Sequence, residues 1–173
     1  YANAGGGVTV NLHSQSGSGS DATADTYSSI ENANGSAHND TFIASSDKNH
    51  FDGLGGVNTL SYANSTAGVN VNLATGAASG GHATGDTFVN IQNLTGSAHN
   101  DVLTGDGSNN ILMGGDGADQ FFGGAGFDTV SYQDSTIGVS IDVDNTTLGG
   151  GRGTGFAKGD VIANDVERIL GSN

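Results

Sequence analysis

The chain has 173 residues, among them 31 Gly, no Pro, no Cys, and 4 Lys plus Arg against 18 Asp plus Glu. A formal net charge of −14 argues against nucleic acid or an anionic membrane as partner and suits cations. The missing Cys excludes disulfide staples and thiolate metal sites, and no apolar run approaches the roughly 18 residues of a membrane span.

In chain order, residues 1–34 read as a spacer. They open with YANAGGGV at 1–8, which aligns with YANSTAGV at 62–69 and YQDSTIGV at 132–139. An alternating stretch follows, VTVNL at 8–12, with counterparts VNVNL at 69–73 and VSIDV at 139–143. Period-two alternation predicts a short strand in each. A turn rich in Gly, Ser and Ala comes next, densest at 149–155. An Asp then precedes a short apolar run: Asp25, Asp86 and Asp160. The stretch NDVERIL at 164–170 has the composition for a short helical turn. Its counterparts at 90–94 and 29–33 do not, so strand is expected there too.

Between the spacers lie two blocks written in nines. Block one, 35–61, reads GSAHNDTFI, ASSDKNHFD, GLGGVNTLS; block two, 96–131, reads GSAHNDVLT, GDGSNNILM, GGDGADQFF, GGAGFDTVS. The expected organisation is one unit: spacer 1–34, block 35–61, spacer 62–95, block 96–131, spacer 132–173. The chain opens inside a repeat with no visible leader, so it reads as a stretch of a longer array.

Three residues of each nonamer can make a strand whose middle side chain points inward, and the other six must turn. The inward residue is position 8, large and apolar in every nonamer of block two: Leu103, Leu112, Phe121, Val130. Gly at turn positions 1, 2 and 4 frees the backbone to converge: Gly96, Gly105, Gly114, Gly115, Gly117, Gly123, Gly124 and Gly126, with Gly107 at position 3 a further candidate. Position 6 supplies a side-chain oxygen: Asp40, Asn49 and Asn58 in block one, Asp101, Asn110, Asp119 and Asp128 in block two. Carbonyls and carboxylates without sulfur suit Ca²⁺ better than Zn²⁺. The bland alternative for these Asp residues is a turn cap.

The last two nonamers match G-G-x-G-x-D-x-U-x at every defined position, and the chain thereby resembles the RTX (repeats-in-toxin) domains. That resemblance implies an all-β fold, a right-handed parallel β-roll or β-solenoid with several calcium ions in the turns. It implies that residues eighteen apart stack, pairing Asp101 with Asp119 and Asn110 with Asp128. It also implies type I secretion, with folding outside the cell where calcium is millimolar.

The turns richest in Gly and Asp, around Asp119 and Asp128 and then Asp101, are the first candidates for calcium. Asn49 and Asn58 offer no charge, so block one is expected to hold ions less well. Asp25, Asp86 and Asp160 are candidates for ligands that start each ion ladder. Buried apolar side chains, one per nonamer, do not offset the entropy of ordering nine residues, so ion binding is expected to supply folding energy.

His38 and His99 recur in GSAHND but read as variable loop positions. No nucleophile–base constellation is present, so no catalysis is expected. The alternative reading is an extracellular polysaccharide-binding or adhesion module, or the non-catalytic module of a polysaccharide-modifying enzyme. It would call for an exposed aromatic or basic stripe, which the sequence does not display; neighbouring repeats of the same chain are the other expected contacts.

Overall fold

The computed structural model describes residues 1–139 and 157–172. The expected strand at 139–143 and the Gly-rich turn at 149–155 lie outside the described residues, save Val139. The described chain is all-β with two short 3₁₀ turns, Ser20–Ala22 and Gly81–Ala83.

Nearly every strand is three residues long, as the nonamer demands. Block one contributes β4 (Thr41–Ile43), β5 (His50–Asp52) and β6 (Thr59–Ser61). Block two contributes β11 (Val102–Thr104), β12 (Ile111–Met113), β13 (Gln120–Phe122) and β14 (Thr129–Ser131). The first spacer holds β1 (Thr9–Asn11), β2 (Ser16–Ser18) and β3 (Asn32–Asn34). The second holds β7 (Asn70–Asn72), β8 (Ala77–Ser79), β9 (Thr87–Val89) and β10 (Asn93–Thr95). The third holds β15 (Val161–Ile162) and β16 (Arg168–Leu170), so 164–170 is turn and strand rather than helix.

Strands stack in three sheets. One runs β16-β14-β12-β10-β6-β4-β1-β2, the second β15-β13-β11-β7-β8, the third β3-β5-β9. Pairing is parallel except in the spacer hairpins β1–β2 and β7–β8. Registers follow the repeat: Phe42 faces Leu60, Leu103 faces Phe121, and Leu112 faces Val130. These middle residues are fully buried. Val10, Phe42, Leu60, Leu94, Leu112 and Val130 form one inward column of the long sheet. Each such side chain stabilises the stack by roughly 1.5–3 kcal/mol.

Three nonamers against four decides which sheet each block enters. Alternate nonamers go to different sheets, and both blocks end in the long one, at β6 and β14. Block one therefore begins in the long sheet with β4, while block two begins in the second sheet with β11. The second spacer absorbs the difference. Its opening strand β7 pairs forward with β11, while β9 and β10 pair backward with β5 and β6. The two blocks are not equivalent in placement.

Candidate metal centre

The position-6 side chains form ladders along the stack. Asp101 N–H donates to Asp119 Oδ1 at 2.9 Å, Asn110 N–H to Asp128 Oδ1 at 2.8 Å, and Asp40 N–H to Asn58 Oδ1 at 2.9 Å. Residues eighteen apart stack as expected. All seven position-6 residues are buried. The ladders open on the valines of the spacer strands: Val8 N–H donates to Asp40 and Val69 N–H to Asp101.

The turns differ in how they treat the second oxygen. In the two GSAHND turns the position-2 Ser supplies donors. Ser97 N–H reaches Asp101 Oδ2 at 2.6 Å and its hydroxyl reaches Oδ1 at 2.9 Å; Ser36 does the same for Asp40. In the two G-G-x-G turns, position 2 is Gly115 (φ 94°) and Gly124 (φ 99°), a backbone conformation that only glycine takes readily. The position-2 N–H no longer serves the carboxylate. Asp119 Oδ2 and Asp128 Oδ2 are consequently buried with no hydrogen-bond partner. Such a group costs about 1–3 kcal/mol, and more when charged.

Where position 6 is Asn, the amide satisfies itself. Asn58 Nδ2 donates to the carbonyls of Gly55 and Asn90, Asn110 Nδ2 to the carbonyl of Gln92, and Asn49 Nδ2 to Ser45 Oγ. Asn49 has the expected handicap of a turn without Gly, and its oxygen is occupied by Ser45 N–H at 2.9 Å.

The position-1 glycines are required by close approach. A methyl group at Gly96 would lie 2.7 Å from the Gly114 carbonyl oxygen and would overlap Asp101 Oδ2. At Gly105 it would overlap both Asn110 Oδ1 and the Gly123 carbonyl oxygen, and at Gly114 Asp119 Oδ2. The Gly96 and Gly105 turns thus bring a main-chain oxygen of the next layer onto their own position-6 oxygen. Gly117 and Gly126 take positive φ beside the carbonyls of His99 and Ser108. Gly107 is the exception: nothing lies near it and its φ is ordinary, so the structure gives it no part in the cradle.

Asp86 and Asp160 occupy a different place from the expected one. They do not start the ladder of the following block; they close that of the preceding one. Asn49 N–H donates to Asp86 Oδ1 at 2.7 Å and Asp119 N–H to Asp160 Oδ1 at 2.9 Å. Their second oxygens take the hydroxyls of Tyr62 (3.0 Å) and Tyr132 (2.6 Å), and the exposed Asp25 takes that of Tyr1. The recurrent spacer tyrosines, read from sequence as packing residues, are therefore also donors to these carboxylates.

Sequence reasoning missed three sets of residues. Gln92 and Glu167 take the position-6 part in spacer turns: Asn58 N–H donates to Gln92 Oε1 and Asp128 N–H to Glu167 Oε2. Asn39, Asn100 and Asn109 at position 5 form a second ladder onto the N–H of Val57, Ala118 and Phe127. Ser36 and Ser97 hold the carboxylates described above. The repeated GSAHND hexapeptide was a signal for the serines and two of the asparagines. Gln92 and Glu167 lie outside any nonamer and gave none.

Electrostatics single out the same turns. Burial raises the Asp119 carboxyl to about 8, with Asp160, Asp101 and Asp116 adding to the rise against the Asp101 N–H bond. Burial raises Asp128, with Glu167, Asp165 and Asp106 adding to it. Asp101 is raised by burial, against the donors of Ser97 and Val69. Among the described residues no three His, Cys, Asp or Glu side chains cluster as a metal cage. Hard carboxylate and carbonyl oxygens lining glycine turns, two of them carboxylate oxygens without a proton donor, fit Ca²⁺, which accepts main-chain carbonyls, better than zinc or Mg²⁺. The imidazoles of His38 and His99 lie on exposed residues and hydrogen-bond none of these carboxylates.

No described helix is long and apolar enough to cross a membrane. A search of curated proteins finds no match to the chain. The RTX calcium-binding nonapeptide repeat family matches in 4 copies over residues 28–63 and 95–130. Repeats of that family bind Ca²⁺ and are typical of secreted bacterial proteins. Those two segments, which contain nearly all of both nonamer blocks, match the RTX calcium-binding nonapeptide repeats.

Proposed function

We propose that residues 1–173 act as one calcium-dependent right-handed parallel β-roll, a structural and secretion-associated module of a larger exported protein. The observation that carries this is the pair of bare, buried oxygens, Asp119 Oδ2 and Asp128 Oδ2, in turns whose asparagine counterparts need no ion. Asp119 and Asp128 are the principal side-chain ligands in this reading, with the carbonyls of the glycine turns around them. Asp101 and Asp40, already served by serine, come next. Asn110, Asn58 and Asn49 come last; Asp86 and Asp160 close ladders rather than lead them, and the exposed Asp25 receives only the Tyr1 hydroxyl.

Bound calcium supplies the positive charge that these turns lack. The chain's own residues set when folding occurs. At low calcium the unneutralised carboxylates oppose stacking, so the chain stays extended and exportable. At millimolar calcium outside the cell the turns close and the strands register, because binding to the folded state alone becomes folding energy. Position-6 residues hold backbone N–H groups and ions rather than a substrate, so the module has no catalytic part.

Far-UV circular dichroism tests the reading. The expected result is a coil-like spectrum in chelator, a β-type spectrum in millimolar Ca²⁺, and a much weaker response to Mg²⁺, which demands stricter octahedral geometry. A β-type spectrum unchanged in excess chelator would refute the claim that the ion supplies folding energy.

A further inference from the structure

We infer that the third spacer completes a calcium site at the end of block two. Asp128, Glu167 and the Asp165 carbonyl form it, and the equivalent place at the end of block one is closed by amides without an ion. The inference rests on the proposed calcium reading and extends it to residues outside every nonamer.

The two block ends share one backbone arrangement. At the end of block one, the N–H groups of Gln92 (3.0 Å) and Asn93 (2.9 Å) donate to the Asn58 carbonyl. At the end of block two, those of Glu167 (3.2 Å) and Arg168 (3.0 Å) donate to the Asp128 carbonyl. In return, Asn58 N–H donates to Gln92 Oε1 at 2.8 Å and Asp128 N–H to Glu167 Oε2 at 2.7 Å. Asn90 thus corresponds to Asp165 and Gln92 to Glu167.

Only the chemistry differs. In block one the Asn58 amide donates to the Asn90 carbonyl at 2.9 Å and the Gly55 carbonyl at 3.0 Å, so both of its protons have acceptors. In block two the corresponding atom is Asp128 Oδ2, fully buried and unpartnered. A methyl group on Gly123 would lie 2.5 Å from the Asp165 carbonyl oxygen and 2.6 Å from Asp128 Oδ2, so these two oxygens converge on one place. The Asp165 carboxylate is engaged elsewhere, by the N–H groups of Gly123 (3.1 Å) and Gly124 (3.0 Å). It draws the Asp165 backbone onto the turn.

An amide supplies protons to a carbonyl. A carboxylate cannot, and an anionic oxygen facing a carbonyl with a second carboxylate beside it is repulsive unless a cation lies between. Asp plus Glu at this end, against Asn plus Gln at the other, is the difference between a cation site and a self-satisfied junction. Hard oxygens of these types select Ca²⁺.

The test uses the full chain, calcium as the probe, and stoichiometry by native mass spectrometry with calcium titration. Glu167→Gln keeps an oxygen for the Asp128 N–H and removes the charge. The expected result is loss of one ion, or at least a tenfold weaker site, with the remaining ions unchanged. The reverse transplant, Asn58→Asp with Gln92→Glu, should add one ion at the end of block one. An E167Q chain that matches the parent in ion count and titration midpoint would overturn the inference while leaving the calcium reading standing, as would a double variant that gains no ion. A parent chain that takes up no calcium would overturn both.

Discussion

Asp119→Asn separates the two tasks of a position-6 carboxylate. Oδ1 accepts the Asp101 N–H at 2.9 Å, and Oδ2 is buried without a partner. Asparagine keeps an oxygen for Asp101 and places an NH₂ group where the bare oxygen was, as Asn58 does with its neighbouring carbonyls. Without calcium the variant should therefore be the more stable protein. The gain is about 1–3 kcal/mol, the cost of one unsatisfied buried acceptor. With calcium the order should reverse. A site filled at a thousandfold excess over its Kd contributes about 4.1 kcal/mol, which exceeds the asparagine's gain and leaves the variant about 1–3 kcal/mol below the parent. Urea denaturation in chelator and in excess calcium reads both numbers, with sucrose in both buffers to populate the metal-free fold. A variant that loses the same stability under both conditions would show that Asp119 is only a hydrogen-bond acceptor, and the reasoning would fail.

Three further outcomes follow from the same geometry. Tyr132→Phe removes the hydroxyl that reaches buried Asp160 at 2.6 Å and should cost about 1–3 kcal/mol by thermal denaturation in calcium, whereas Tyr1→Phe, at the exposed Asp25, should cost far less. Ser97→Ala removes the hydroxyl donor to Asp101 and should cost about 1 kcal/mol in chelator with sucrose, and less in calcium, by urea denaturation. In chelator the β-type signal should grow as pH falls: Asp119 is raised from 3.8 to about 8 in the folded state, so its contribution is full below about pH 4 and is lost as pH rises through about 8. A circular-dichroism titration between pH 9 and 4 that shows the opposite slope would contradict the burial of that carboxyl.

Much of the fold was legible because the nonamer states it twice. Position 8 names the inward residue and the glycines name the turn, and the two-nonamer coil implied by the RTX resemblance then pairs Leu103 with Phe121 and Leu112 with Val130. The same period placed Asp101 on Asp119. The path of the spacers was not legible. The opening strands β1 and β7 both pair forward, with β4 and β11, but they lie in different sheets, and that depends on counting three nonamers against four rather than on any local propensity. The place of Asp86 and Asp160 was hidden for a related reason: they lie before a block in sequence but bond to the block behind it.

What position 6 alone could not convey is the role of position 2. Asp101 and Asp119 are the same residue at the same place in the repeat, and both are buried. Ser97 points its N–H and hydroxyl at Asp101, so that carboxylate is satisfied by protein. Gly115, at φ 94°, turns the corresponding N–H away and leaves Asp119 Oδ2 bare. The second glycine of the G-G-x-G turn thus does more than allow a tight bend. It withholds a proton donor, so that a buried anion must find its neutralising charge elsewhere. A serine there trades ion demand for metal-free stability, which makes the GSAHND turns, first in both blocks, less dependent on calcium than the G-G-x-G turns that carry the same aspartate.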